Sequence, residues 1–150
     1  MDFYTRVTGD LDIFDQEEFL QKEFSLQVHL SVFFNASHRI EFEPGRYGPI
    51  HRHSYQLLVK ADYLRQNKNE LYVPYAEFRK ILEDVAKYYD GTNLTNLPVF
   101  GNIQSTTENF VQVIAYQLNK MIAGLPLIIQ EITLNESPTV GVTLSFNVDE

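Results

Sequence analysis

Cysteine is absent from all 150 residues, and so is tryptophan. Without thiols there can be no disulfide, no thiolate metal site and no cysteine nucleophile or base. The same absence fits a cytoplasmic location. Positive charge is scarce, with 12 Lys and Arg against 20 Asp and Glu and a formal net charge of −8. A protein that gathers nucleic-acid phosphates needs a basic face, so no nucleic-acid partner is expected. No apolar run approaches the ~20 residues needed to cross a bilayer, so no membrane partner is expected either. The opening MDFYTRVTGDLDIF is acidic and lacks the charged-then-apolar order of a secretory signal.

What the chain does contain fits one domain with a sizeable core, rich in Tyr (9) and Phe (11). Residues 1–22 read as an N-terminal arm or a short extra element. DIFDQEEFLQKEF could form an acidic helix capped by Asp15, or an arm against a neighbouring subunit. Residues 23–150 read as the single domain. Over residues 24–40, Phe24, Leu26, Val28 and Leu30 alternate with Ser25, Gln27, His29 and Ser31, the pattern of a half-buried strand. His29 falls on the polar face and reads as a surface residue. EFEPGRYGPI, residues 41–50, carries the turn pairs Pro44-Gly45 and Gly48-Pro49 and reads as a loop. A second strand follows over residues 51–64, with His53, Tyr55, Leu57 and Val59 on one face. QNKNE, residues 66–70, is a polar turn.

From Tyr75 the period becomes helical, with Phe78, Ile81, Leu82 and Val85 on one stripe ending before Asp90-Gly91. GTNLTNLPVFGNIQ, residues 91–104, reads as an irregular connection. STTEN opens a second helix, with Ser105 or Thr106 as cap and Glu108 or Asn109 reaching back. That helix runs to about Ala123 and stops at Gly124-Leu125-Pro126. Two strands, 127–137 and 139–148, close the chain around a short turn at Pro138. The expected fold is α+β, order ββααββ: a four-stranded antiparallel sheet with both helices on one face.

Three of the four histidines lie between Phe34 and Tyr55. His51 and His53 are two apart in a strand, so both imidazoles project from the same side. His38 ends the preceding strand. If these strands pair, three imidazole nitrogens converge, and three neutral imidazoles with no fourth protein ligand is the arrangement of a catalytic zinc. Spacing alone leaves a second reading open, in which these are solvated histidines on a strand face.

FNASHR followed by HRH, STTEN at the second helix, and ITLNESP in the third strand together carry a resemblance. Across about Phe24 to Phe146 the chain resembles the 6-pyruvoyl-tetrahydropterin and 6-carboxy-tetrahydropterin synthases. The resemblance implies the tunnelling fold, assembly into a homohexamer with active sites between subunits, and a small-molecule pterin as partner. It implies Zn2+ held by His38, His51 and His53, and Glu136 as anchor for the pterin ring, with Thr106 and Thr107 adding contacts. A carboxylate can accept two parallel N–H bonds from an amino-pyrimidinone edge. Read without the family, Glu136 is an exposed strand-end carboxylate and the threonine pair simply caps a helix.

The chain departs from the family where protons move. Tyr47 stands where the family has a catalytic Cys, Gly91 stands where the His of an Asp-His dyad would be, and Arg52 replaces the middle Gly of His-Gly-His. The Asp that opens the family's first helix is replaced around Pro74. Asp90 and Tyr47 are therefore the residues left at catalytic positions. A tyrosine is a poor base at neutral pH, and the alternatives are that Tyr47 fills space or that Glu41 or Glu43 serves as base. Arg39, Arg46 and Arg52 could meet a triphosphate, or Arg52 could pair with an acid behind the sheet. The expected function is a zinc-dependent lyase acting on dihydroneopterin or its triphosphate; the alternative is a non-catalytic pterin-binding or assembly module.

Overall fold

Alternation of side chains along two long strands sets the architecture. In the computed structural model, which describes residues 26–63 and 74–146, β1 (Gln27–His38) pairs antiparallel with β4 (His51–Tyr63). The expected acidic helix or arm over 1–22, its cap Asp15 and the turn at 66–70 lie outside the described residues. Val28, Phe34 and Ala36 of β1 are buried, as are Tyr55, Leu57, Val59 and Ala61 of β4, so one face of the ribbon forms the core. His29 is exposed, as its place on the polar face requires.

The connection between the two strands is more ordered than a loop. β2 (Glu41–Glu43) and β3 (Arg46–Tyr47) form a small hairpin that turns at Gly45. α1 (Tyr75–Tyr89) follows, burying Phe78, Leu82, Val85, Ala86 and Tyr89 along one stripe. It ends where Gly91 takes a φ of +77°, a left-handed conformation that favours glycine. The stretch expected to be irregular contains β5 (Thr92–Asn93) and two short 3-10 turns, Leu94–Asn96 and Pro98–Phe100. α2 (Thr107–Met121), β6 (Leu127–Ser137) and β7 (Val140–Ser145) complete the chain.

The expectation of a four-stranded, wholly antiparallel sheet is corrected here. The sheet has five strands in the order β5-β1-β4-β6-β7, and β5 runs parallel to β1. Two residues are too few to give β5 a periodic signal. It exists because Asp90 and Gly91 bring the chain back against β1, where the Gly91 N–H donates to the carbonyl of Asn35 at 2.7 Å.

α1 packs on β1, α2 packs on β6 and β7, and the two helices touch. Phe110 of α2 is the keystone of the aromatic core. Its ring centroid lies 4.8 Å from Tyr89, 5.4 Å from Tyr55 and 5.9 Å from both Phe34 and Phe100. Burying each such side chain stabilises the fold by about 1.5–3 kcal/mol. The cluster also fixes the first turn of α2 against the ends of β1 and β4. No helix among the described residues is long and apolar enough to cross a membrane.

Candidate metal centre

Register brings the histidines together. His38 lies directly opposite His51 in the β1–β4 ladder, and Ala36 lies opposite His53. The three side chains share one face, and their Nε2 atoms converge. His38 Nε2 is 2.8 Å from His51 Nε2 and 3.2 Å from His53 Nε2. His38 is buried, His53 half-buried and His51 exposed, so the cluster opens to solvent on one side.

The other ring nitrogens decide what this arrangement can hold. His38 Nδ1 lies 2.6 Å from the carbonyl oxygen of Ser105, and His51 Nδ1 lies 3.1 Å from that of Pro49. A carbonyl only accepts, so each Nδ1 carries the hydrogen. In their neutral forms both Nε2 atoms then carry lone pairs, which face each other across 2.8 Å. Such a contact calls for a positive charge between the rings. A proton is disfavoured on His38: burial lowers its pKa, the neighbouring His51 and His53 lower it further, and the bond to Ser105 and the Glu136 charge only partly oppose this. Three imidazole nitrogens, two of them on rings whose Nδ1 hydrogens are anchored by carbonyls, suit zinc and similar borderline metals, and leave a coordination position open.

The same cleft contains the carboxylate. Glu136 Oε2 accepts from the Thr107 hydroxyl at 2.7 Å and lies 3.8 Å from His53 Nε2. Thr107 is the first residue of α2, and Thr106 is its cap, accepting from the Asn109 N–H at 3.2 Å. Helix capping therefore accounts for Thr106, while Thr107 holds Glu136. Glu136 thus meets the N-terminal end of α2, where a helix favours a carboxylate. A cavity of about 300 Å³ is lined by His38, His51, His53, Thr106, Thr107 and Glu136, with Ile40 and the β7 residues Val140, Gly141 and Val142 at its edges.

Tyr47 and Asp90 do not line this cavity. Asp90 Oδ1 accepts the backbone N–H of Asn35 at 2.9 Å, tying the end of α1 to β1. Tyr47 lies in a neighbouring polar cleft, about 400 Å³, with Arg39 and Glu41. The Arg39 guanidinium sits 4.1 Å above the Tyr47 ring. The Tyr47 hydroxyl donates to Glu41, a bond that lowers the Glu41 pKa and raises that of Tyr47. Arg52 is exposed, Arg46 pairs with Glu43 at 3.6 Å, and neither lines the cavity.

Sequence reasoning missed the carbonyls of Ser105 and Pro49. Backbone acceptors leave no mark in residue identity, although Pro49 two residues before His51 signals a turned backbone. It also missed β7 as a wall of the cleft, because the wall depends on how β6 and β7 pair.

A family profile described as 6-pyruvoyl tetrahydropterin synthase matches residues 27–146. No curated protein matches the chain. Among solved structures, the Caenorhabditis elegans 6-pyruvoyl tetrahydropterin synthase is similar at 20% identity and TM-score 0.70, covering 84% of this chain and 99% of that one. The Plasmodium falciparum enzyme matches at 18% identity and TM-score 0.67, covering 84% and 100%. A Plasmodium vivax variant described as a catalytic-residue mutant, glutamate to alanine, matches at 17% identity and TM-score 0.64, covering 84% and 100%. At these identities the structural likeness speaks for the fold, and the profile speaks for the lineage. With a profile spanning residues 27–146 and a fold shared over 84% of the chain, the protein belongs to the 6-pyruvoyl tetrahydropterin synthase family.

Proposed function

We propose that this protein is a zinc-dependent pterin lyase that acts on dihydroneopterin or its triphosphate, working as a cytoplasmic homohexamer. The observation that carries the reading is the shared cleft: three imidazole Nε2 atoms and the Glu136 carboxylate open into one cavity of about 300 Å³. That volume is at the lower end of small-molecule sites and suits a flat bicyclic ring.

Glu136 would receive the amino-pyrimidinone edge through two parallel N–H bonds. Thr107, by donating to Oε2, holds the carboxylate in one orientation while Oε1 and the second lone pair of Oε2 remain available to a ligand. The ring's position on Glu136 would direct the side chain of the pterin toward His38, His51 and His53. Bound there, zinc would supply Lewis acidity, lowering the pKa of a substrate hydroxyl. A side-chain cleavage of retro-aldol type fits best, since it needs fewer proton shuttles than the full synthase reaction. Tyr47 and Asp90 enter this proposal as proton-handling groups presented across a subunit contact. A glutamate is the catalytic residue named for the Plasmodium vivax variant, and Glu41 or Glu43 of the β2–β3 hairpin would offer the corresponding carboxylate here.

A second reading, a pterin-binding module without catalysis, is favoured by one observation. The Asp90 carboxylate is spent on a backbone N–H, and the adjacent Gly91 cannot relay a proton. Turnover separates the two. Zinc-loaded protein is incubated with dihydroneopterin and with its triphosphate, and products are resolved by chromatography. Side-chain cleavage is expected, and unchanged pterins would overturn the lyase proposal. Glu136→Gln should weaken binding of either pterin by about 10- to 100-fold, the value of a hydrogen bond to a charged group. Unaltered affinity would remove Glu136 from the site.

A further inference from the structure

β6 and β7 do not pair evenly at the edge of the cleft. Asn135 lies opposite Gly141 and Ser137 opposite Val140, so Glu136 is the extra residue of a β-bulge. A bulge re-aims the side chain beside it, but the ladder is interrupted there and something else must hold the strands. The Asn135 carboxamide does this across three strands. Its Nδ2 donates to Gln56 Oε1 on β4 at 3.2 Å. Its Oδ1 lies over the backbone of Gly141 on β7. A methyl group built on Gly141 would sit 1.9 Å from that oxygen and 2.9 Å from Asn135 Cα and Cγ. The φ of Gly141 is not positive, so backbone conformation does not explain the glycine. Space for the carboxamide does.

We infer that Gly141 and Asn135 form a positioning pair for the carboxylate of Glu136. The missing side chain at 141 seats the Asn135 carboxamide, and the seated carboxamide holds the bulge that turns Glu136 onto Thr107 and the imidazoles. Neither residue contacts a ligand through its own side chain in this scheme; both act through Glu136. The functional consequence rests on reading Glu136 as the pterin anchor, whereas the geometric content does not.

The test uses the full-length, metal-loaded protein and three variants: Gly141→Ala, Asn135→Ala and the double substitution. Dihydroneopterin binding is measured by fluorescence titration. The absorption spectrum of bound cobalt reports the imidazole site, and crystal structures report the Glu136–Thr107 contact. Gly141→Ala should weaken dihydroneopterin binding by about ten-fold, a typical coupling between contacting residues. Its cobalt spectrum should be unchanged, because the histidines stand on β1 and β4. Asn135→Ala should weaken binding as well, and adding Gly141→Ala to it should cost clearly less than in the wild type, since the 1.9 Å contact with Oδ1 is gone and only the 2.9 Å approach to the Cα of residue 135 remains.

Wild-type affinity in Gly141→Ala, or losses that add in the double variant, would overturn the inference. So would a Gly141→Ala structure that keeps the Thr107–Glu136 hydrogen bond. If Gly141→Ala does not fold, Asn135→Ala decides alone, and unchanged affinity with an unchanged bulge refutes the pair. If the wild-type protein itself does not bind dihydroneopterin, the pterin reading of Glu136 fails. The pair is then judged by the crystal structures, where loss of the Thr107–Glu136 bond supports it and retention refutes it.

Discussion

His51→Ala should change sign with metal. In the chelated protein, His38 and His51 present Nε2 lone pairs to each other at 2.8 Å while both Nδ1 hydrogens are committed to carbonyls. His51 is the exposed member of the three, so its truncation leaves no cavity, and removing it relieves the contact. The chelated variant should therefore melt at or above the wild-type temperature. With zinc the order reverses. At a free metal concentration 100 times its dissociation constant, a ligand that binds only the folded state adds about 2.7 kcal/mol. For a domain of this size each kcal/mol is ~2–4 °C, so the wild-type melting temperature should rise by about 5–10 °C. If loss of one imidazole weakens binding about 100-fold, the same zinc adds only about 0.4 kcal/mol, or ~1–2 °C, to the variant. Differential scanning calorimetry in chelator and in zinc reads both numbers. Equal zinc shifts in the two proteins would refute the three-imidazole site. A chelated variant that melts well below the wild type would refute the account of opposed lone pairs.

Three further outcomes follow from other parts of the molecule. The His38 pKa is lowered from 6.5, first by burial, so the unfolded chain takes up a proton more readily than the folded one. That stability is present above the unfolded pKa and is lost as pH falls through the folded one. Chelated protein should thus weaken on acidification below about pH 6.5, a loss that denaturant titration should find reduced in His38→Gln. Phe110→Ala, at the centre of the aromatic core, should cost about 3–5 kcal/mol in urea unfolding, and a cost under about 1 kcal/mol would contradict its central packing. Asp90→Ala should destabilise by about 1 kcal/mol through the freed Asn35 N–H, while Asp90→Asn, which keeps an acceptor oxygen, should restore most of that stability.

How much was readable beforehand differs from element to element. Period-2 alternation located β1 and β4, and the helical stripe of Phe78, Leu82 and Val85 located α1, because burial imposes those periods directly. The turn at Pro138 placed β6 as expected, while β7 occupies only Val140–Ser145 of the expected 139–148, of which 147 and 148 lie outside the described residues. β5 and the β2–β3 hairpin escaped because two- and three-residue strands owe their existence to the partners they meet, not to a pattern of their own. Thr106 as helix cap was legible; the Thr107 hydroxyl on Glu136 was not, since residues 29 apart met only when α2 settled on β6.

By itself, the amino-acid order determined that thiol chemistry is excluded, that His51 and His53 face the same way, and that a capped helix begins at STTEN. These follow from composition and from the period of a strand, which are local properties. Only the folded chain decided that His38 stands opposite His51, that carbonyls of Ser105 and Pro49 aim two lone pairs into one cavity, and that a bulge turns Glu136 into the same space. Each of those depends on strand register and helix docking, which are settled by packing between segments far apart in sequence.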